Sequence, residues 1–143
     1  MTESSRPTPP RNLVALCDGT ANHLGADLTN VARLFRCMDR DENQRVFYNS
    51  GVGTVGGDMW WSSAARNAKA LFEQASGYAI DRDIVAIYRF VCANHRDGDR
   101  IWLFGFSRGA YTVRVVAALL HLVGILPPDQ IDLAGYALSY LKV

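Results

Sequence analysis

The chain has 143 residues, 49% of them hydrophobic, and carries 15 Lys and Arg against 14 Asp and Glu, a formal net charge of +1. This is the composition of one ordinary globular domain with apolar residues enough for a core. Near-neutral charge without a basic stripe excludes an electrostatic nucleic-acid surface.

Residues 1–11 hold Ser, Thr, Arg and three prolines but no apolar stretch. They read as a disordered leader that is neither signal peptide nor anchor, which points to a cytoplasmic protein or one secreted without an N-terminal signal. Asn12 to Cys17 is a short apolar run broken by Asp18-Gly19-Thr20, the pattern of a buried strand ending in a turn. Thr29 or Asn30 can cap a helix whose Val31, Leu34, Phe35 and Met38 fall at i, i+3, i+4 and i+7. Arg45 to Asn49 reads as a second strand, and Ser50 to Asp58 as a glycine-rich loop followed by another helix-like region.

From Tyr78 to Asn94, Ile80, Ile84, Ile87, Tyr88 and Val91 form one apolar stripe, closed by the turn Arg96-Asp97-Gly98-Asp99. Ile101 to Phe104 is a third strand. A helix then runs from about Ala110 to Val123, apolar on nearly every face, until Gly124 and Pro127-Pro128 end it. Asp129 can cap a final helix with Ile131, Ala134, Leu138 and Leu141 on one side. Its longest apolar run, residues 113–126, contains Arg114, His121 and Gly124 and is shorter than the roughly 20 residues that span a bilayer, so no transmembrane segment is expected. Strands alternating with helices predict an α/β fold with a parallel sheet. Cys17, Cys37 and Cys92 lack CxxC spacing and read as buried thiols of a reducing compartment; no metal and no cofactor is expected.

The motif that carries chemistry is Gly105-Phe106-Ser107-Arg108-Gly109, a GxSxG between a strand and a helix. A nucleophile elbow needs that context: the turn is so sharp that the serine is strained, and Gly105 and Gly109 remove Cβ atoms that would collide with the neighbouring strand and helix. Ser107 is the candidate nucleophile. In such a fold the triad acid and then the histidine follow the serine, yet only 34 residues follow Gly109, and His121 precedes both Asp129 and Asp132. His121 would lie about 20 Å along the helix from Ser107, and His95 at the opposite end of the strand. His23, in the loop after the first strand, is the one histidine on the correct edge, a surrogate base with Asp18 or Asp27 behind it.

Other motifs are weaker. Asp18-Gly19-Thr20 matches part of the phosphatase pattern DxDGT, but Leu16 stands at the nucleophile position. Gly51 to Gly56 is a literal GxGxxG, but it follows the second strand and leads into Trp60-Trp61 instead of a clean helix start. That aromatic pair reads as core cover, with lipid contact as the alternative.

Cys-Asp-Gly-Thr at 17–20, Thr-Asn-Val at 29–31, Gly-Val-Gly-Thr at 51–54 and Leu-Phe-Gly-Phe-Ser-Arg-Gly-Ala-Tyr at 103–111 together resemble the α/β-hydrolase domain of the type VI secretion phospholipase effectors of the first class and of related bacterial and fungal proteins. The resemblance covers about residues 12–126. It implies a Ser-Asp-His triad and ester or phospholipid substrates, with Ser107 as nucleophile and the acid and histidine mapping onto nothing here. Residues 12–143 are therefore expected to form an incomplete α/β-hydrolase catalytic domain: a parallel three-stranded sheet in the order second-first-third, flanked by helices. On that scaffold the backbone N–H groups of Arg108 and Gly19 would form the oxyanion hole, with Asp18 supporting the site edge. A sheet cut beside the Ser107 strand exposes an unpaired edge, so self-association or a complementary C-terminal fragment is expected. The alternative is a non-catalytic remnant or interaction module that keeps the elbow as a packing device.

Overall fold

The computed structural model describes residues 9–19, 28–51 and 77–142. Three parallel strands, β1 (Asn12–Cys17), β2 (Gln44–Asn49) and β3 (Arg100–Gly105), form one sheet in the order β2-β1-β3, as expected. Register is continuous: Cys17 lies opposite Asn49 on one side and Gly105 on the other. All three strands thus end at one level, where the loops that follow them meet.

The central strand is buried on both faces, which its unbroken apolar sequence allows. Alternation sends Val14 and Leu16 into a small cluster with Val31 of helix α1 (Asn30–Cys37). Ala15 and Cys17 enter the main core on the opposite face. Helices α2 (Gly77–Asn94) and α3 (Arg108–Leu122) supply Ile84, Ile87, Tyr88, Val116 and Leu119 there, and α4 (Ala134–Leu141) adds Ala134 and Leu138.

At the opposite, N-terminal edge of the sheet, buried Arg11 closes the layers together. Its guanidinium donates to Asp99 Oδ2 at 2.7 Å and to the Asn94 carbonyl at 2.6 Å, and the Arg100 N–H donates to the Arg11 carbonyl at 2.8 Å. The end of α2 and the start of β3 are thereby fixed to the start of β1. It follows that α2 runs antiparallel to the strands, with its first turns toward the edge where the strands end.

The start of α1 and the end of α3 fall as expected, whereas the start of α4 and the burial of one cysteine do not. Thr29 caps α1, its hydroxyl accepting the Ala32 N–H at 3.1 Å. Gly124, at φ 85°, closes α3 with its N–H on the Leu119 carbonyl. Asp129 caps no α-helix: residues Pro128–Leu133 form a 3₁₀ helix, and α4 begins only at Ala134. Pro128 at the first position and the tight Gln130 N–H to Pro127 carbonyl bond, 2.9 Å, favour that narrower turn. Cys17 and Cys92 are buried, but Cys37, the last residue of α1, is exposed. The expected segments at Thr20 to Asp27 and at Val52 to Ser76, with His23, Trp60 and Trp61, lie outside the described residues.

Candidate active site

β3 ends at Gly105 and α3 begins at Arg108, leaving only Phe106 and Ser107 to reverse the chain. Ser107 carries the strain of that reversal. At φ 55° and ψ −124° it is the one non-glycine with positive φ among the described residues, a conformation costing on the order of 1–3 kcal/mol. The turn is closed by the Phe106 carbonyl accepting the Gly109 N–H at 2.9 Å and by the Phe106 N–H donating to the Cys17 carbonyl at 3.1 Å. Ser107 is exposed.

The two flanking glycines leave no room for a side chain. A Cβ on Gly105 would stand 2.4 Å from the Gly109 carbonyl oxygen, and one on Gly109 would stand 2.0 Å from the Cys17 carbonyl oxygen. β1 and α3 therefore touch backbone to backbone. This close approach brings Ser107 beside the loop that follows β1: a Cβ on Gly19 would be 3.5 Å from Ser107 Oγ and 3.0 Å from its Cβ.

That loop is held by Asp18, whose buried carboxylate accepts donors from Gly19, Thr29 and Tyr48 among the described residues. Oδ1 takes the Gly19 N–H at 3.0 Å, while Oδ2 takes the Thr29 hydroxyl and the Tyr48 hydroxyl, the latter at 3.0 Å. The cap of α1 and the end of β2 are thus fastened to the Gly19 loop. Burial, and then the bond to Asp18, raise the Tyr48 phenol, which stays a donor at any ordinary pH. Gly51 completes the packing. At φ 76° its missing side chain leaves space for the Gly19 carbonyl oxygen, which a Cβ would approach to 2.1 Å.

Arg108 contributes on two sides. Its backbone N–H opens α3, where no intrahelical carbonyl can reach it, next to Ser107. Its half-buried guanidinium lies 3.4 Å from the Gly19 carbonyl oxygen. Burial lowers the Arg108 pKa, and the charge of Asp83 opposes that shift. Asp83 is a buried carboxylate on α2. Burial first, and then Asp83, push the Cys17 thiol up to about 12, so the thiol beneath the elbow stays protonated and is no competing nucleophile.

The described histidines are elsewhere. His121 is exposed in the last turn of α3, not in a core or groove, and lies 14 positions along the chain from Ser107, about 20 Å at 1.5 Å per residue. His95 follows the end of α2 at the far edge of the sheet. No group of three or more His, Cys, Asp or Glu suited to a metal occurs among the described residues. Thr29 was expected as a cap but not as a partner of Asp18, and Tyr48, Gly51, Asp83 and the Arg108 side chain were not expected at the site. Thr29 and Gly51 had a signal, since each begins one of the short motifs at 29–31 and 51–54; Tyr48 and Asp83 had none.

The model of the family described as "T6SS, Phospholipase effector Tle1-like, catalytic domain" matches residues 11–142. An uncharacterized protein of Saccharomyces cerevisiae, YEL023C, is 31% identical over 130 residues, which are 86% of this chain and 19% of the yeast protein. The chain thus spans about a fifth of the length of that relative. No solved structure matches.

Proposed function

The chain belongs to the Tle1-like phospholipase-effector catalytic-domain family, and from that premise we propose that it is the nucleophile-bearing part of a serine hydrolase acting on ester or phospholipid bonds. The observation that carries the reading is Ser107: a strained, exposed serine between strand and helix, next to the Gly19 loop. Ser107 Oγ attacks the ester carbonyl, a base takes its proton, the alcohol leaves, and water then releases the acid from the acyl-enzyme. Within this chain His23 is the surrogate base to test; otherwise acid and base come from outside the 143 residues, in a longer chain or a complementary fragment.

The Arg108 N–H serves as one oxyanion donor. The Gly19 N–H, the second, is held by Asp18 Oδ1 at 3.0 Å and must exchange that bond for the substrate oxygen. That engagement also favours a second reading, a non-catalytic interaction module in which the elbow only packs β1 against α3. We place the protein in the cytoplasm or, as its family of secretion effectors suggests, among secreted proteins; no described helix is long and apolar enough to cross a membrane.

Turnover of an activated short-chain ester tests the reading. Slow hydrolysis abolished by Ser107→Ala is expected, with a further fall in His23→Ala if that histidine is the base. Hydrolysis unchanged in Ser107→Ala overturns it, and none in any form, even with a downstream segment supplied, favours the interaction module.

A further inference from the structure

Helices α2 and α4 pack against each other on one side of the main core. A groove of about 360 Å³ runs between the two helices, floored by Val85 and Leu138 and lined by the cations Arg82, Arg89 and Lys142 against the single carboxylate of Asp81. Arg82 makes no hydrogen bond or ion pair among the described residues, and Arg89 meets only Asp132, at 3.3 Å, with both partners open to solvent. Such an exposed pair contributes little and exchanges readily for another anion.

Beside the groove α4 turns Tyr136 and Tyr140 outward, 75% and 80% exposed, with Leu133 at 46% one turn before. These positions fall at i, i+3 and i+7, so they form one stripe. The whole helix, Ala-Gly-Tyr-Ala-Leu-Ser-Tyr-Leu, contains no charge. Large aromatic side chains left in water on a stable helix are a feature to be explained.

We propose that this face docks on a bilayer containing anionic phospholipid, the cations meeting headgroup phosphates and the two tyrosines lying at headgroup depth. Tyrosine has an apolar ring and a polar tip suited to that depth, and Lys and Arg next to it supply the attraction to anionic lipid. The excess of cations over carboxylates lining the groove favours an anionic lipid surface over a protein partner. The position is also suitable. Lys142 pairs with Asp81 at 2.5 Å in the first turns of α2, so the upper end of the groove lies toward the edge of the sheet that carries Ser107. The proposal does not depend on Ser107 being a nucleophile.

Co-sedimentation with vesicles of phosphatidylcholine, with and without phosphatidylglycerol, tests it. The expected result is binding to the mixed vesicles that weakens with salt, and about fivefold further for each of Arg82→Gln and Arg89→Gln, the effect of one cation near a charged surface. Tyr136→Ser with Tyr140→Ser should weaken binding to both vesicle types, and Ser107→Ala should bind like the parent chain. All the altered side chains are exposed, so circular dichroism should stay unchanged. The proposal is overturned by binding that ignores lipid charge and these substitutions, or by no binding. It is equally overturned if inorganic phosphate at matched ionic strength displaces the vesicles, which assigns the groove to a free anion, or if the tyrosine variant converts a dimer to a monomer, which assigns the face to a second copy.

Discussion

At the scale of single residues, the site is made by what glycine omits. Gly109→Ala would drive a methyl to 2.0 Å from the Cys17 carbonyl oxygen, where backbone cannot yield. It should cost several kcal/mol, about 3 or more, since an overpacked backbone contact must separate β1 from α3. Gly135→Ala, in α4 with open space around it, should instead stabilise by about 0.5–1 kcal/mol. Thermal or urea unfolding of the two variants checks both signs, and equal effects would contradict the close approach. Gly19→Ala is the subtler case: its methyl meets Ser107 Cβ at 3.0 Å and Oγ at 3.5 Å, so folding should change little while access to Ser107 falls. A variant with normal unfolding and unaltered reactivity at Ser107 would mean that the Gly19 loop is not part of the site.

At the level of elements, β1 is held at both ends. At its start, the Arg11 side-chain bonds foremost hold the Asp99 carboxyl down at about 2, below the ordinary 3.8. A depressed carboxyl contributes stability that is complete above the ordinary value and is lost as pH falls through the folded one. Unfolding between about pH 4 and pH 2 should therefore show a steep loss of stability, which Asp99→Asn flattens. Because that variant leaves Arg11 buried without its counter-charge, it should also cost about 3 kcal/mol at neutral pH. A parallel pH slope in parent and variant would contradict this.

At its other end, β1 shows why the strands were legible in the local pattern, their order only through the family resemblance, and the site's support in neither. An apolar run of strand length between turn signals can be read locally, as can the Thr29 cap and the GxSxG. The bonds from Tyr48 and Thr29 to Asp18 join residues 30 and 11 positions apart, and no local period marks them. Asp18 read as support for the site edge or as an acid behind His23; its bonds from Gly19, Thr29 and Tyr48 depend on tertiary contacts. The start of α4 was misjudged because Asp129 has a capping side chain, while the prolines ahead of it set a narrower helix.

At the scale of the whole molecule, β2-β1-β3 leaves the outer side of β3 unpaired among the described residues, with Trp102 48% exposed on it and Phe106 53% exposed just beyond. An open edge with aromatic side chains invites association. The isolated chain should elute above its monomer mass or bind a fragment that supplies further strands. A well-behaved monomer with cooperative unfolding would count against an incomplete sheet. Whether Ser107 is the nucleophile is decided by mass spectrometry of peptides from protein treated with a fluorophosphonate. The account predicts slow modification confined to Ser107, accelerated by added imidazole standing in for a missing base and absent in Ser107→Ala. An adduct on any other residue, or labelling that survives Ser107→Ala, would contradict it.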